Sequence, residues 1–262
     1  MTTFPPVEYI SYPLPQQGAP FVVLIHGFAA TAEQVWIKTG WIRKLQAQGL
    51  HCITVGLPYH GQDFLRDDAR SASTAQGFEK SALPAKGKTY TAAVEGALFR
   101  LSQQVGHPLH VVGFSAGARI AWEFAINHPE NVRTVTVAGF PQKNHIEDLK
   151  NYLSGRQHEA IDTVFRELID HSPITTEGLL QFVSAPHEGE FDPAQHHPKV
   201  PTLVVGGTAD TVSGNGDWLY EALEITDVPH RREILSGRDH INALTSGIFK
   251  KAVMQWIQEF EP

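Results

Sequence analysis

Short apolar runs alternating with amphipathic stretches constrain what this chain can fold into more than any other feature. Residues 21–25, 51–55, 109–113, 132–138 and 201–205 are such runs, with a weaker one at 231–235. Their near-continuous apolar character suits strands buried on both faces. Between and after them lie stretches with helical periodicity. Val35, Trp36, Ile42 and Leu45 mark one over 31–48, and Ala93, Ala97, Leu98 and Leu101 another over 90–105. Residues 116–127 and 247–260 supply two more. Strand and helix in alternation build a parallel sheet with crossover helices, an α/β architecture.

The alternation stops between Phe140 and Lys199. Ile146, Leu149, Leu153, Ile161, Phe165, Leu168, Leu179, Leu180 and Phe182 recur there at helical spacing, and five prolines punctuate the stretch. The expectation is a core made of residues 1–140 and 200–262, interrupted by a helical insertion over 141–199.

Bulk composition narrows the function classes. A formal charge of −7 with no cluster of Lys and Arg argues against a nucleic-acid partner. The densest basic spot, Arg231-Arg232, adjoins Glu233 and reads as a solvated strand end. Cys52 is the single cysteine and lies in an apolar run, where a small buried side chain is the plain reading. No apolar stretch reaches the ~18 to 20 residues needed to span a bilayer. The first residues carry neither a basic nor an apolar targeting segment. A soluble, cytoplasmic protein without a membrane span is expected.

The chemistry concentrates at Gly113-Phe114-Ser115-Ala116-Gly117, which follows a buried strand and opens a helix. A nucleophile on such a turn is held in strained backbone geometry above a helix N-terminus, which favours developing negative charge. A serine hydroxyl needs a base within hydrogen-bond reach. Among fourteen histidines, His240 is one of few expected in a loop at a strand's carboxyl end. A carboxylate must then fix the imidazole tautomer. Asp210, just after the 201–205 run, is favoured over Asp217 and Asp239, because neighbours in an extended loop point apart. Ala116 N–H and the Phe28 N–H of His26-Gly27-Phe28 are the expected oxyanion donors. His26 itself reads as a structural residue of that loop.

These segments together resemble the α/β-hydrolase superfamily. Residues 26–28 look like its oxyanion loop, 113–117 like its nucleophile elbow, and Ala209-Asp210 and Asp239-His240 like its acid and histidine loops. Residues 57–62 are similar to its Asp-x-Pro-Gly-x-Gly loop, but Gly56 and Tyr59 stand where Asp and Gly are common. The segment is read as holding no catalytic group. The resemblance implies an eight-stranded, mostly parallel sheet with a cap inserted after the sixth strand.

The function expected is cleavage of a small-molecule carboxylic ester through an acyl-enzyme on Ser115, without metal or cofactor. An acyltransferase or thioesterase on the same three residues is the nearest alternative. A receptor-like relative with little turnover is an alternative of another class. Phe28, Phe114, Phe140, Leu149, Leu153, Phe165 and Phe182 are candidates for an apolar substrate pocket, although helical stripes also pack among themselves. The insertion's six histidines include His196-His197, whose adjacency in a Pro-rich linker argues against a metal site.

Overall fold

The computed structural model describes residues 1–16, 18–71, 79–156, 161–189 and 191–261. Residues 157–160 and 190 of the expected insertion therefore lie outside the described residues. The sheet has eight strands: β1 (Thr2–Tyr12), β2 (Phe21–Ile25), β3 (His51–Gly56), β4 (Glu79–Gly87), β5 (Leu109–Phe114), β6 (Val132–Ala138), β7 (Thr202–Gly207) and β8 (His230–Leu235). Their order across the sheet is β4-β1-β3-β2-β5-β6-β7-β8, with β1 antiparallel to both neighbours and the other pairings parallel.

Side-chain alternation divides the core into two layers. Val23 and Ile25 of β2 and Val111 of β5 face one layer, which the helix over Tyr90–Val105 covers; Val22, Leu24, Val112 and Phe114 face the other. Burial on both faces explains why the central strands read as unbroken apolar runs. The helices are α1 (Trp41–Gln46), α2 (Asp67–Ser71), α3 (Tyr90–Val105), α4 (Ala116–Asn127), α5 (Ile146–Leu153), α6 (Thr163–Asp170), α7 (Thr176–Ser184), α8 (Asp217–Glu224) and α9 (Gly247–Glu259). Helices α5, α6 and α7 fall between β6 and β7, where the strand pattern of the sequence breaks. No helix among the described residues is long and apolar enough to cross a membrane.

One helical expectation is corrected. Residues 31–48 do not form one helix: a π-helical turn over Glu33–Ile37 ends before Gly40, whose φ of +81° no continuing helix accepts, and α1 starts afresh at Trp41. The break is sealed by Lys250, which is buried and donates through Nζ to Thr39 O at 2.7 Å. Trp36, Trp41 and Phe249 interlock edge-to-face across it.

Helix α4 lies unusually close to the strands that position it. A Cβ on Gly113 would stand 2.2 Å from Gly117 O, and one on Gly117 would stand 2.4 Å from both Ile25 O and His26 O. Those obstacles are backbone of the central strands and of α4, which cannot swing aside. Gly113→Ala is expected to cost about 3 kcal/mol through overpacking, lowering the calorimetric Tm by roughly 6 to 12 °C. A shift under about 2 °C would show that the turn can accommodate a methyl group.

Candidate active site

The turn between β5 and α4 brings Ser115 to the carboxyl edge of the sheet. Its φ of 56° and ψ of −123° are unusual for a residue with a side chain. The turn is held from both sides, because Ser115 N–H donates to Ala138 O at 2.9 Å and Ala118 N–H donates to Ser115 O at 2.8 Å.

Three side chains far apart in sequence meet there. Ser115 Oγ lies 3.0 Å from His240 Nε2, and His240 Nδ1 lies 2.9 Å from Asp210 Oδ2. With Nδ1–H donating to the carboxylate, Nε2 carries the lone pair that accepts the hydroxyl proton. All three are buried, His240 being 1% exposed. Asp210 also accepts the Val212 and Ser213 N–H groups on Oδ1 and the Ser213 hydroxyl, at 2.6 Å, on Oδ2. Burial alone would raise its pKa. Hydrogen bonds and charge from His240, joined by Ser213, outweigh that and hold it below the ordinary carboxylate value.

The rival carboxylates are engaged elsewhere. Asp217 opens α8 and pairs with Arg232 of β8. Asp239 accepts the Ile241 and Asn242 N–H groups and so shapes the loop that carries His240.

The loop after β2 packs directly on the serine: a Cβ on Gly27 would lie 2.7 Å from Ser115 Cβ and 3.2 Å from Oγ. Phe28, the next residue, therefore sits at the hydroxyl's shoulder. Ala116 opens α4, so its N–H has no carbonyl partner within the helix.

Ser115 opens onto a cavity of about 510 Å³ between the sheet edge and the insertion. Phe28, Phe140, Leu149, Phe165 and Phe182 line it, as the sequence suggests. Two expected residues do not. Phe114 points to the opposite layer, as strand alternation after Val112 requires, and its ring lies 5.2 Å from that of His240. It backs the imidazole instead of meeting a substrate. Leu153 sits one turn beyond Leu149 on α5 and is partly buried against the larger apolar cluster, outside the cavity lining. Tyr90, Ile120 and His145 line the cavity without having been singled out. Ile120 follows Ser115 by little more than a helical turn, a spacing that could have found it. Tyr90 arrives from α3 and leaves no local signal. A second hollow of about 430 Å³, beside β1 and β4, contains none of the three clustered side chains.

The model for the alpha/beta hydrolase fold matches residues 20–168, more than half of the 262 residues. The chain belongs to the α/β-hydrolase fold family. Solved structures of this fold are similar over nearly the whole length. A putative non-heme bromoperoxidase, BpoC, from Mycobacterium tuberculosis superposes with a TM-score of 0.70 at 18% identity, covering 100% of this chain and 97% of that one. A carboxylesterase from the thaumarchaeon Nitrososphaera gargenis gives 0.66 at 16% identity, over 97% and 95%. A thermophilic esterase from Thermogutta terrifontis gives 0.65 at 14%, over 100% and 99%. No curated protein matches the chain significantly. Among the described residues of this α/β hydrolase, no group of three or more His, Cys, Asp or Glu side chains is arranged to hold a metal ion.

Two further histidines stand behind the site. Burial, reinforced by the neighbouring His60, lowers the pKa of His26 to about 3, and burial lowers that of His60 to about 4. Both rings are neutral when folded, whereas unfolded imidazoles take a proton near ~6.5. Their contribution to stability is therefore complete above that value and declines as pH falls toward 4 and then 3, at about 1.4 kcal/mol per pH unit for each ring. Glu95, lifted to about 7 by burial, works in the opposite sense over part of this interval and offsets about one ring. Buried His110 and partly buried His187, also lowered by desolvation, add to the loss. Urea midpoints are expected to fall steadily between pH 6.5 and 4.5. A flat profile would mean that these histidines are not buried as neutral rings.

Proposed function

We propose that this protein is a serine hydrolase of carboxylic esters. The observation that carries the reading is the continuous relay from Ser115 Oγ through His240 to Asp210, at 3.0 and 2.9 Å, opening onto a largely apolar cavity. His240 takes the serine proton as Oγ attacks the ester carbonyl. The Phe28 and Ala116 N–H groups receive the developing oxyanion, each such donor being worth roughly 10²- to 10³-fold in rate. The imidazolium, steadied by ionised Asp210, protonates the departing alcohol. Water, deprotonated by the same imidazole, then releases the acid and regenerates the serine.

In this reading residues 141–199 form a lid over a core of 1–140 and 200–262. Aromatic and aliphatic walls from Phe28, Tyr90, Phe140, Leu149, Phe165 and Phe182 suit a small to medium, fairly apolar ester. The esterase relatives of the same fold are in keeping with this activity, and a hydrolysis run by serine and imidazole calls on no metal.

The test uses p-nitrophenyl esters of increasing acyl length. Turnover is expected for short and medium chains, with Ser115→Ala losing about 10³-fold or more of kcat. A fluorophosphonate should label the wild type once per chain and leave Ser115→Ala unlabelled. A wild type that is neither labelled nor active would refute the proposal. Ser213→Ala removes one of four donors to Asp210, and kcat/KM is expected to fall about 10- to 100-fold, a value in line with one lost hydrogen bond to a charged group. An unchanged kcat/KM would show that the backbone amides alone hold the carboxylate.

A further inference from the structure

Behind the serine, two loops are tied together by two histidines, each on one loop and each gripping the other. His26 ends the path out of β2; its Nε2 accepts the N–H of Leu57, in the loop after β3, at 3.1 Å. His60 belongs to that second loop, and its Nε2 accepts the N–H of Ala29, in the first loop, at 3.2 Å. An imidazole nitrogen that accepts from an amide carries no proton, so in each ring the hydrogen sits on Nδ1. Those hydrogens are used locally, His26 Nδ1–H donating to Gly27 O at 2.8 Å and His60 Nδ1–H to Pro58 O at 3.0 Å. Tyr90 donates its hydroxyl to the same Pro58 carbonyl at 3.0 Å. The rings lie 5.6 Å apart, and both are buried, His26 completely.

Each loop also contains a residue with a side chain in the left-handed region, Ala29 with φ of 58° and Tyr59 with φ of 65°. Such conformations persist only where the surroundings over-determine them. The reciprocal bonds supply that determination, since one grips the Ala29 amide itself and the other anchors Leu57, two residues before Tyr59. Phe28 is enclosed between His26 and Ala29, so the direction of its N–H is set from both sides. His60 also meets Phe182 edge-on at 5.2 Å and Phe28 at 6.1 Å, so this ring backs the cavity wall as well.

We propose that His26 and His60 are positioning residues for the reaction: by each holding an amide of the other's loop, they preset the Phe28 N–H where the oxyanion forms. This rests on the assignment of Phe28 as an oxyanion donor in the ester-hydrolase reading. Neither ring touches the reacting atoms. Their neutrality, set by burial, is required because a protonated Nε2 would repel the amide that it now accepts.

The test compares His60→Gln, His60→Asn and His60→Ala. Glutamine places an oxygen where Nε2 stands and keeps the grip on Ala29. Asparagine reproduces only the Nδ1 donor, and alanine neither. With wild type and variants assayed at a temperature where circular dichroism shows all folded, kcat on a p-nitrophenyl ester is expected to fall about 10- to 100-fold in the Asn and Ala variants. KM should stay within about threefold, and the Gln variant should recover most of kcat. Affinity for an alkyl boronic acid, which mimics the tetrahedral intermediate, should weaken by a similar factor. Variants that lose thermal stability while kcat stays level, or a Gln variant no better than Ala, would overturn the clamp while leaving Ser115 chemistry intact. A wild type inert toward every ester would overturn the hydrolase reading first, and the clamp's purpose with it.

Discussion

The close seating of α4 on β2 and β5 is the constraint on which the site depends. Gly117 against Ile25 O and His26 O, and Gly113 against Gly117 O, leave no room for a methyl group. That contact brings the helix N-terminus to the ends of the central strands. It forces the intervening residue into a conformation that lifts Ser115 Oγ clear of both elements. The same approach presses the β2 loop onto Ser115, so one packing event sets the hydroxyl and the neighbouring amides together. Loops after β7 and β8 then need only reach a fixed point at the same edge, and parallel strands end there by construction.

Around that point the buried imidazoles follow a single rule: each uses both ring nitrogens. His240 spends Nδ1–H on Asp210 and turns its lone pair toward Ser115; His26 and His60 spend theirs on carbonyls and turn lone pairs toward amides. The difference lies in the partner of Nδ1. A backbone carbonyl brings no full charge, and burial keeps His26 and His60 neutral. Asp210 carries four donors that keep it ionised, so an imidazolium formed at His240 has a counter-charge beside it. In the proposed reaction one residue type thus serves as base in one place and as brace in two others, according to what stands opposite it.

The sequence reveals what is local or fully buried. Helices α3 and α4 and strand β6 begin and end where periodicity and punctuation put them, and Ser115, Asp210 and His240 follow from strand ends. The β4–β1 side of the sheet is silent for a physical reason. β1 carries Pro5-Pro6, which lack N–H groups and fall where its pairing with β4 shifts register between Phe4 and Val7. β4 reads Glu-Lys-Ser-Ala-Leu-Pro-Ala-Lys-Gly, with charge and proline that suit an edge strand and give no apolar run. His60 was missed for a related reason, because its meaning lies in an amide 31 residues away.

The cavity marks the remaining boundary of what sequence can carry. Assigning Phe114 to the substrate followed from its adjacency to Ser115, but adjacency and orientation are different properties. Its place in β5 commits the ring to the layer that contains Val112, behind His240. Leu149 and Leu153 show the helical counterpart: both belong to one apolar stripe of α5, yet only Leu149 reaches the cavity, because the helix passes the opening for about one turn. Tyr90 reaches the same cavity from α3, and its hydroxyl anchors the Pro58 carbonyl that His60 also uses. A wall residue is therefore tied directly to the loop that contains His60. Under the proposed clamp, a substrate pressing on Tyr90 or Phe182 would act on groups in contact with His60 or its Pro58 partner, and binding in the cavity would be joined mechanically to the setting of the Phe28 amide.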